Sequence, residues 1–126
     1  MGTLDSGRLI AFVPTTDLVR ARAFYADIIG LQITDESPYA CVFDANGTML
    51  RVTPVRKLQR VRYTVLGWGV DDIGATVAAL GTAGVAFERY PGMDVDDAGI
   101  WTSPSGARVA WFEDPDGNLL SLTQFA

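Results

Sequence analysis

The chain has 126 residues, of which 48% are apolar, and carries a formal net charge of −5 and one cysteine, Cys41. That composition supports a packed core in one compact domain or two half-size units sharing it, and it excludes wholesale disorder and an internal disulfide framework. The acidic balance argues against nucleic-acid binding, and no apolar run approaches the roughly 20 residues of a membrane span, so the expectation is a cytoplasmic protein that binds neither.

Residues 1–7 are small and polar and read as a loose start. Leu9-Ile10-Ala11-Phe12-Val13 is a short apolar run closed by Pro14-Thr15-Thr16, which predicts a buried strand. Asp17 is a natural N-cap, and Leu18, Phe24, Tyr25 and Ile28 recur at helical spacing up to Gly30, a typical C-terminal stop. Leu31 to Thr34 starts a second strand, and Tyr39–Phe43 with Thr48–Thr53 predicts a hairpin around Asp44-Ala45-Asn46-Gly47. The basic stretch 54–61 lacks periodicity and reads as a linker between a first module, 8–53, and a second, 62–126.

The second module opens on a strand, Arg62 to Trp68. Asp71 and Asp72 both offer N-caps for a helix with Ile73, Val77 and Leu80 on its buried stripe, ending by Gly84. Val85–Arg89 predicts a strand, residues 90–97 an acidic loop, and 99–102 a short strand piece. Ala107–Phe112 and Leu119–Phe125 then flank Asp114-Pro115-Asp116-Gly117-Asn118, a knot of turn formers that predicts a hairpin tip. Both modules thus read β-α-β-β-β. Asp17 to Gly30 and Asp71 to Gly84 each span thirteen positions, and aligning Gly47 with Gly117 sets Leu50 on Leu120, Arg51 on Ser121 and Thr53 on Thr123. Two matching intervals argue for an internal repeat.

A repeated βαβββ unit with these two motifs, Asp17-Leu18-x-x-Ala21-x-x-Phe24-Tyr25-x-x-x-x-Gly30-Leu31 and Asp114-Pro115-Asp116-Gly117-Asn118, resembles the vicinal oxygen chelate superfamily of glyoxalases, bleomycin-resistance proteins and extradiol dioxygenases. The resemblance covers nearly the whole chain. It implies an α+β fold of two βαβββ modules whose curved mixed sheets enclose a cavity, and a homodimer. It also implies metal ligands, in the enzymes of the group, from the first and last strands of each module. Carried over by spacing, those positions are Ile10 and Arg51 in the first module, and Thr64 (or its neighbour Val65) and Ser121 in the second. Ile10 offers no donor, Arg51 is cationic, and Thr64 and Ser121 are weak neutral ligands. With no histidine anywhere in the chain, His-ligated metal, a His general base and Ser–His or Cys–His couples are also excluded. No cofactor is expected.

Strand alternation from the same positions predicts the cavity lining: Ile10 and Phe12; Met49, Arg51 and Thr53; Thr64, Leu66 and Trp68; Leu119, Ser121, Thr123 and Phe125. The opposite faces, including Leu50, Val52, Leu120 and Leu122, are expected to pack on the helices. Arg51 is the sharpest ligand candidate, either fixing an anionic group of a ligand or pairing with a nearby carboxylate. Trp68, Trp101 and Trp111 with Tyr39 and Tyr90 are rings that stack on a flat ligand or simply fill the core, and Trp101 stands beside a Gly-containing loop. Cys41 reads as a buried inert thiol, Glu36, Glu88 and Glu113 as solvated charges rather than bases, and Asp94, Asp96 and Asp97 lack calcium-loop spacing. The expected ligand-contacting set is therefore Arg51, Trp68, Trp101, Thr64, Ser121, Phe12 and Phe125, with no catalytic residue assigned.

The functional expectation is a metal-independent small-molecule binding protein, by resemblance to the bleomycin-resistance branch one that sequesters an aromatic or planar compound. An enzyme on a small organic substrate (lyase, isomerase or dioxygenase-like) and an interaction module with a filled cavity are the competing classes.

Overall fold

The computed structural model describes residues 2–126. The chain divides after Leu58 into two compact units, the second running Gln59–Ala126. Each unit carries one four-stranded mixed sheet. Among the described residues no helix is long and apolar enough to cross a membrane.

In the first unit the elements are β1 (Ile10–Thr15), α1 (Leu18–Ala23) continued by a π-helical turn (Phe24–Ile28), β2 (Gln32–Ser37), β3 (Ala40–Ala45) and β4 (Thr48–Pro54). The strand order is β1-β4-β3-β2, with β1 parallel to β4 and the other neighbours antiparallel. Val13, Phe43, Leu50 and Val52 are at most 1% exposed, as is Tyr25 of the π turn. The Tyr25 ring lies 6.0 Å from that of Phe43 and meets Phe24 edge-on at 5.1 Å. Burying each such side chain contributes about 1.5–3 kcal/mol, so this face holds the helix on the sheet.

The second unit repeats the topology with β5 (Leu66–Gly69), α2 (Ile73–Thr82), β6 (Trp101–Thr102), β7 (Arg108–Glu113) and β8 (Leu119–Gln124) in the order β5-β8-β7-β6. Its core is Ile73, Val77 and Leu80 of α2 against Ala110, Phe112, Leu120 and Leu122. Val85–Arg89 does not become a strand. Only Phe87 bridges to Phe112, and the Glu88 N–H donates to the Trp111 carbonyl at 2.8 Å. β6 takes Val109 and Arg108 on the same outer edge of β7, which leaves only that short end to pair.

The two modules are out of step by one residue where spacing made them match. The cap of α2 is Asp72, whose Oδ1 accepts from the Ala75 N–H at 3.0 Å, in the role Asp17 plays for Arg20 at 3.1 Å. Gly30 and Gly84 close both helices in the left-handed region, at φ 88° and 102°. Cap to stop is then thirteen positions in the first unit and twelve in the second. The extra residue is taken up by the π turn, where the Ile29 N–H reaches Phe24 O, five residues back, at 3.0 Å. A one-residue insertion absorbed this way leaves both helix ends where the sheet needs them.

The β7–β8 turn is built by one carboxylate. Asp114, 5% exposed, accepts from the backbone N–H groups of Asp116 and Asn118 at 2.9 Å each and from the Asn118 side-chain amide at 2.8 Å. Gly117 sits at φ 85°, and a β-carbon there would lie 2.5 Å from Arg60 Nε, so the Arg60 stem lies directly against the turn.

Candidate functional site

Each sheet has a helix-covered face and a free face, and chemistry is available only on the free one. In the first unit the register pairs Ile10 with Met49 and Phe12 with Arg51, and Arg51 with Val42 on the other side. Paired residues share a face. Phe12 is 59% exposed, Ile10 43% and Met49 41%, against burial of Val13, Leu50 and Val52 on the opposite face. Arg51 is half-buried in this apolar row, and no ion pair reaches it among the described residues. Beside Ile10 and Met49 a depression of about 410 Å³ is edged by Arg8 and Asp44. Cys41 lies on the helix-covered face, and its thiol is pushed up by burial and by the nearby Glu36 carboxylate. A buried thiol with a raised pKa is a poor nucleophile at neutral pH.

In the second unit the register moves two sequence expectations. β5 pairs Leu66 with Leu120, Gly67 with Ser121, Trp68 with Leu122 and Gly69 with Thr123. Leu66 and Trp68 therefore share the face of the buried Leu120 and Leu122, and Trp68 does not stand beside Ser121 as alternation from Thr64 required. The counterpart of Ile10 is Val65, whose N–H donates to Leu119 O at 2.9 Å, and Thr64 precedes the strand. The cause is the one-residue difference between the helices. The free face is floored instead by Gly67 and Gly69. A β-carbon at Gly67 would sit 2.7 Å from Ser121 Oγ, and one at Gly69 would meet the Phe125 ring at 3.7 Å. Ser121 is 9% exposed and Phe125 76%.

Above this floor the rings gather. Trp111, in the Ser121 row, lies 6.0 Å from Trp101, tilted by 39°, and 5.9 Å from Tyr90, edge-on. Beside them opens a cleft of about 630 Å³ lined by Arg60, Arg62, Glu88, Tyr90, Glu113 and Leu119. Arg60 pairs with Glu113 there. The Tyr90 hydroxyl is pushed up by burial and by the Glu88 and Glu113 carboxylates, so it stays protonated and able to donate. Further along the loop, Arg89 donates to the carbonyls of Asp96 (3.1 Å) and Asp97 (2.7 Å), and Asp96 Oδ1 accepts from the Ala98 and Ile100 N–H groups. The acidic loop is thus held by its own backbone.

The sequence profile of the Glyoxalase/Bleomycin resistance protein/Dioxygenase superfamily matches residues 9–122. The chain belongs to that superfamily. Solved structures agree on the fold. A lactoylglutathione lyase from Agrobacterium tumefaciens superposes with a TM-score of 0.73 at 17% identity, over 94% of this chain and 93% of the other. The fosfomycin resistance protein FosX from Listeria monocytogenes gives 0.76 at 17% identity, over 96% and 92%. A glyoxalase/bleomycin resistance protein/dioxygenase from Nocardioides gives 0.68 at 18% identity, over 93% and 83%. No curated protein matches the sequence.

The superfamily's metal enzymes draw ligands from positions that here hold Ile10, Arg51, Val65 and Ser121. Two of these side chains lack a donor atom and one is a cation, so the set does not fit a divalent metal. Among the described residues no group of three or more His, Cys, Asp or Glu side chains is arranged to hold a metal ion.

Among the ligand-contacting expectations, Phe12 and Arg51 fall in one row of the first unit, while Ser121, Trp101 and Phe125 fall on the free face of the second. Trp68 does not join them, whereas the Thr64 methyl group lies 4.0 Å from where a β-carbon at Gly67 would sit, on the Ser121 side. The cleft residues were each legible as types, Tyr90 as a ring, Glu88 and Glu113 as charges, Arg60 within the basic linker and Arg62 as the start of the strand that follows it. What brings them together is the Glu88–Trp111 backbone bond and the packing of Arg60 on Gly117, neither of which has a sequence signature.

Proposed function

We propose that the protein binds a small planar organic molecule carrying an anionic group, without a metal, on the free sheet face of its first unit. The observation that carries this reading is Arg51. It is a half-buried guanidinium in an exposed apolar row with Phe12, and no carboxylate pairs with it among the described residues. A partly desolvated cation without a partner is satisfied by an anionic ligand, and Phe12, Ile10 and Met49 supply apolar contact for its body. The residues at the superfamily's metal positions support metal independence. The names of two similar structures, a lyase and an antibiotic-resistance protein, accord with a small organic ligand.

The test is calorimetric titration with a panel of aromatic acids and their methyl esters, on the wild type and on Arg51→Met, which keeps the stem and removes the charge. The acids are expected to bind more tightly than the esters by roughly one to two decades, the worth of a charge-assisted hydrogen bond of about 1.5–3 kcal/mol, and Arg51→Met to lose that preference. Equal affinity for acid and ester, or an unchanged preference in the variant, refutes the reading. Stoichiometric transition metal in tag-free protein refutes metal independence.

A further inference from the structure

The second unit carries a cleft that the Arg51 reading does not use. Its walls are set by backbone. The Glu88 N–H bonds Trp111 O and Phe87 pairs with Phe112 in the core, so alternation turns Glu88 and Tyr90 to the side of Trp111 and Glu113. On the other wall the Arg60 stem lies on Gly117 and its guanidinium pairs with Glu113, while Arg62 follows two residues later. Leu119, 6% exposed, adds an apolar surface.

The charges in this cleft are not all spent. Arg60 and Glu113 neutralise each other. Arg62 and Glu88 form no ion pair among the described residues, with each other or with any neighbour. The remaining field is one positive group on one wall and one negative group, beside a tyrosine ring, on the other. A simple anion drawn to Arg62 meets Glu88, and a simple cation drawn to Glu88 meets Arg62. Each leaves one charge opposed. A molecule with both signs satisfies both groups. The volume, about 630 Å³, lies in the range of small-molecule sites and accommodates an apolar body against Tyr90 and Leu119.

We propose that this cleft is a binding site for a small zwitterion with an apolar body, of the α-amino-acid class, with Glu88 holding its ammonium group, Arg62 its carboxylate and Tyr90 its side chain. The site stands apart from Arg51 and does not depend on that reading.

Three probes that differ only in charge test it by calorimetry on the full chain: phenylalanine, phenethylamine and 3-phenylpropionate. Phenylalanine is expected to bind about tenfold or more tightly than either singly charged probe. Glu88→Gln should lose about tenfold for phenylalanine and phenethylamine but not for phenylpropionate, and Arg62→Gln should do the reverse for the amine and the acid. Because phenylalanine and 3-phenylpropionate are themselves aromatic acids of the kind proposed for the Arg51 face, the titrations are repeated on Arg51→Met, where the preference for phenylalanine and its dependence on Glu88 and Arg62 should persist, which separates failure here from failure of the first site. Both charge changes lie at the surface or half-buried, and circular dichroism of each variant verifies the fold. Absence of saturable phenylalanine binding at millimolar concentration, no preference among the probes, or dependence on Arg51 rather than Arg62 and Glu88 overturns the proposal.

Discussion

Asp114 is the single side chain on which the β7–β8 hairpin depends, and its replacement gives the sharpest test of how the second unit is held. The carboxylate is 5% exposed and accepts from two backbone N–H groups and from the Asn118 amide. A net charge-assisted hydrogen bond contributes about 1.5–3 kcal/mol, but the turn relaxes and water enters when the acceptor is lost, so these three bonds do not add in full. Asp114→Ala is expected to cost about 3–4 kcal/mol. Asp114→Asn keeps one oxygen for the two backbone donors and sets an amide nitrogen against the Asn118 amide. A flip of Asn118 restores part of that contact, so the expected cost is about 1–2 kcal/mol. All three tryptophans, Trp68, Trp101 and Trp111, belong to the second unit. Tryptophan fluorescence in a urea titration therefore reads that unit, and far-UV circular dichroism reads both. The fluorescence midpoint should fall in the order wild type, Asn, Ala with little change of slope. An Ala variant within about 1 kcal/mol of wild type, or an Asn variant as costly as Ala, refutes the role assigned to the carboxylate.

Gly117→Ala combines a left-handed φ of 85° with a β-carbon 2.5 Å from Arg60 Nε, so it should lose about 1–2 kcal/mol by the same urea assay and release Arg60 from Glu113. Deleting Asp27, an exposed residue of the π turn, should leave a foldable first unit with a regular helix, whereas deleting Val19 from α1 should unfold it; equal outcomes by circular dichroism refute the assignment of the extra residue to that turn. Cys41 should react with a disulfide reagent at least about tenfold more slowly in the native protein than in urea at pH 8, because burial raises the thiol pKa and blocks access, and fast native labelling contradicts this. The protein is expected to sediment as a homodimer at micromolar concentration, with a purely monomeric boundary as the contrary result.

Helix-covered residues were legible because burial writes a period into the chain. Val13, Leu50 and Val52 alternate, and Ile73, Val77 and Leu80 recur at helical spacing, so both modules and the strand pairing of the first could be read from pattern. The caps were legible as residue types, but Asp71 and Asp72 carry the same signal. Choosing between them required knowing that α1 contains a π turn, which looks like ordinary helix in sequence. That one residue moved Trp68 from the free face to the face of Leu122 and replaced Thr64 by Val65 as the counterpart of Ile10. The Val85–Arg89 expectation failed for a different reason. Its residues suit a strand, but Trp101 and Thr102 hold the Arg108–Val109 part of that β7 edge, and the remainder receives only the Phe87 bridge and the Glu88 N–H.

The same slot in the two sheets shows where this chain's individuality lies. The row holding Phe12 and Arg51 in the first unit is occupied by Gly67 and Ser121 in the second. The helix-covered faces of both sheets keep apolar residues of similar size, because a change of even one methylene group there is felt through close packing. The free faces carry no such constraint, and one has become a cationic apolar ledge and the other a glycine floor beneath Trp101 and Trp111. The second cannot simply be converted into the first, since any β-carbon at Gly67 displaces Ser121 Oγ from 2.7 Å. The residues proposed for recognition are therefore ones that the fold does not need, which is why the repeat is visible in the sequence while the two faces it presents are chemically different.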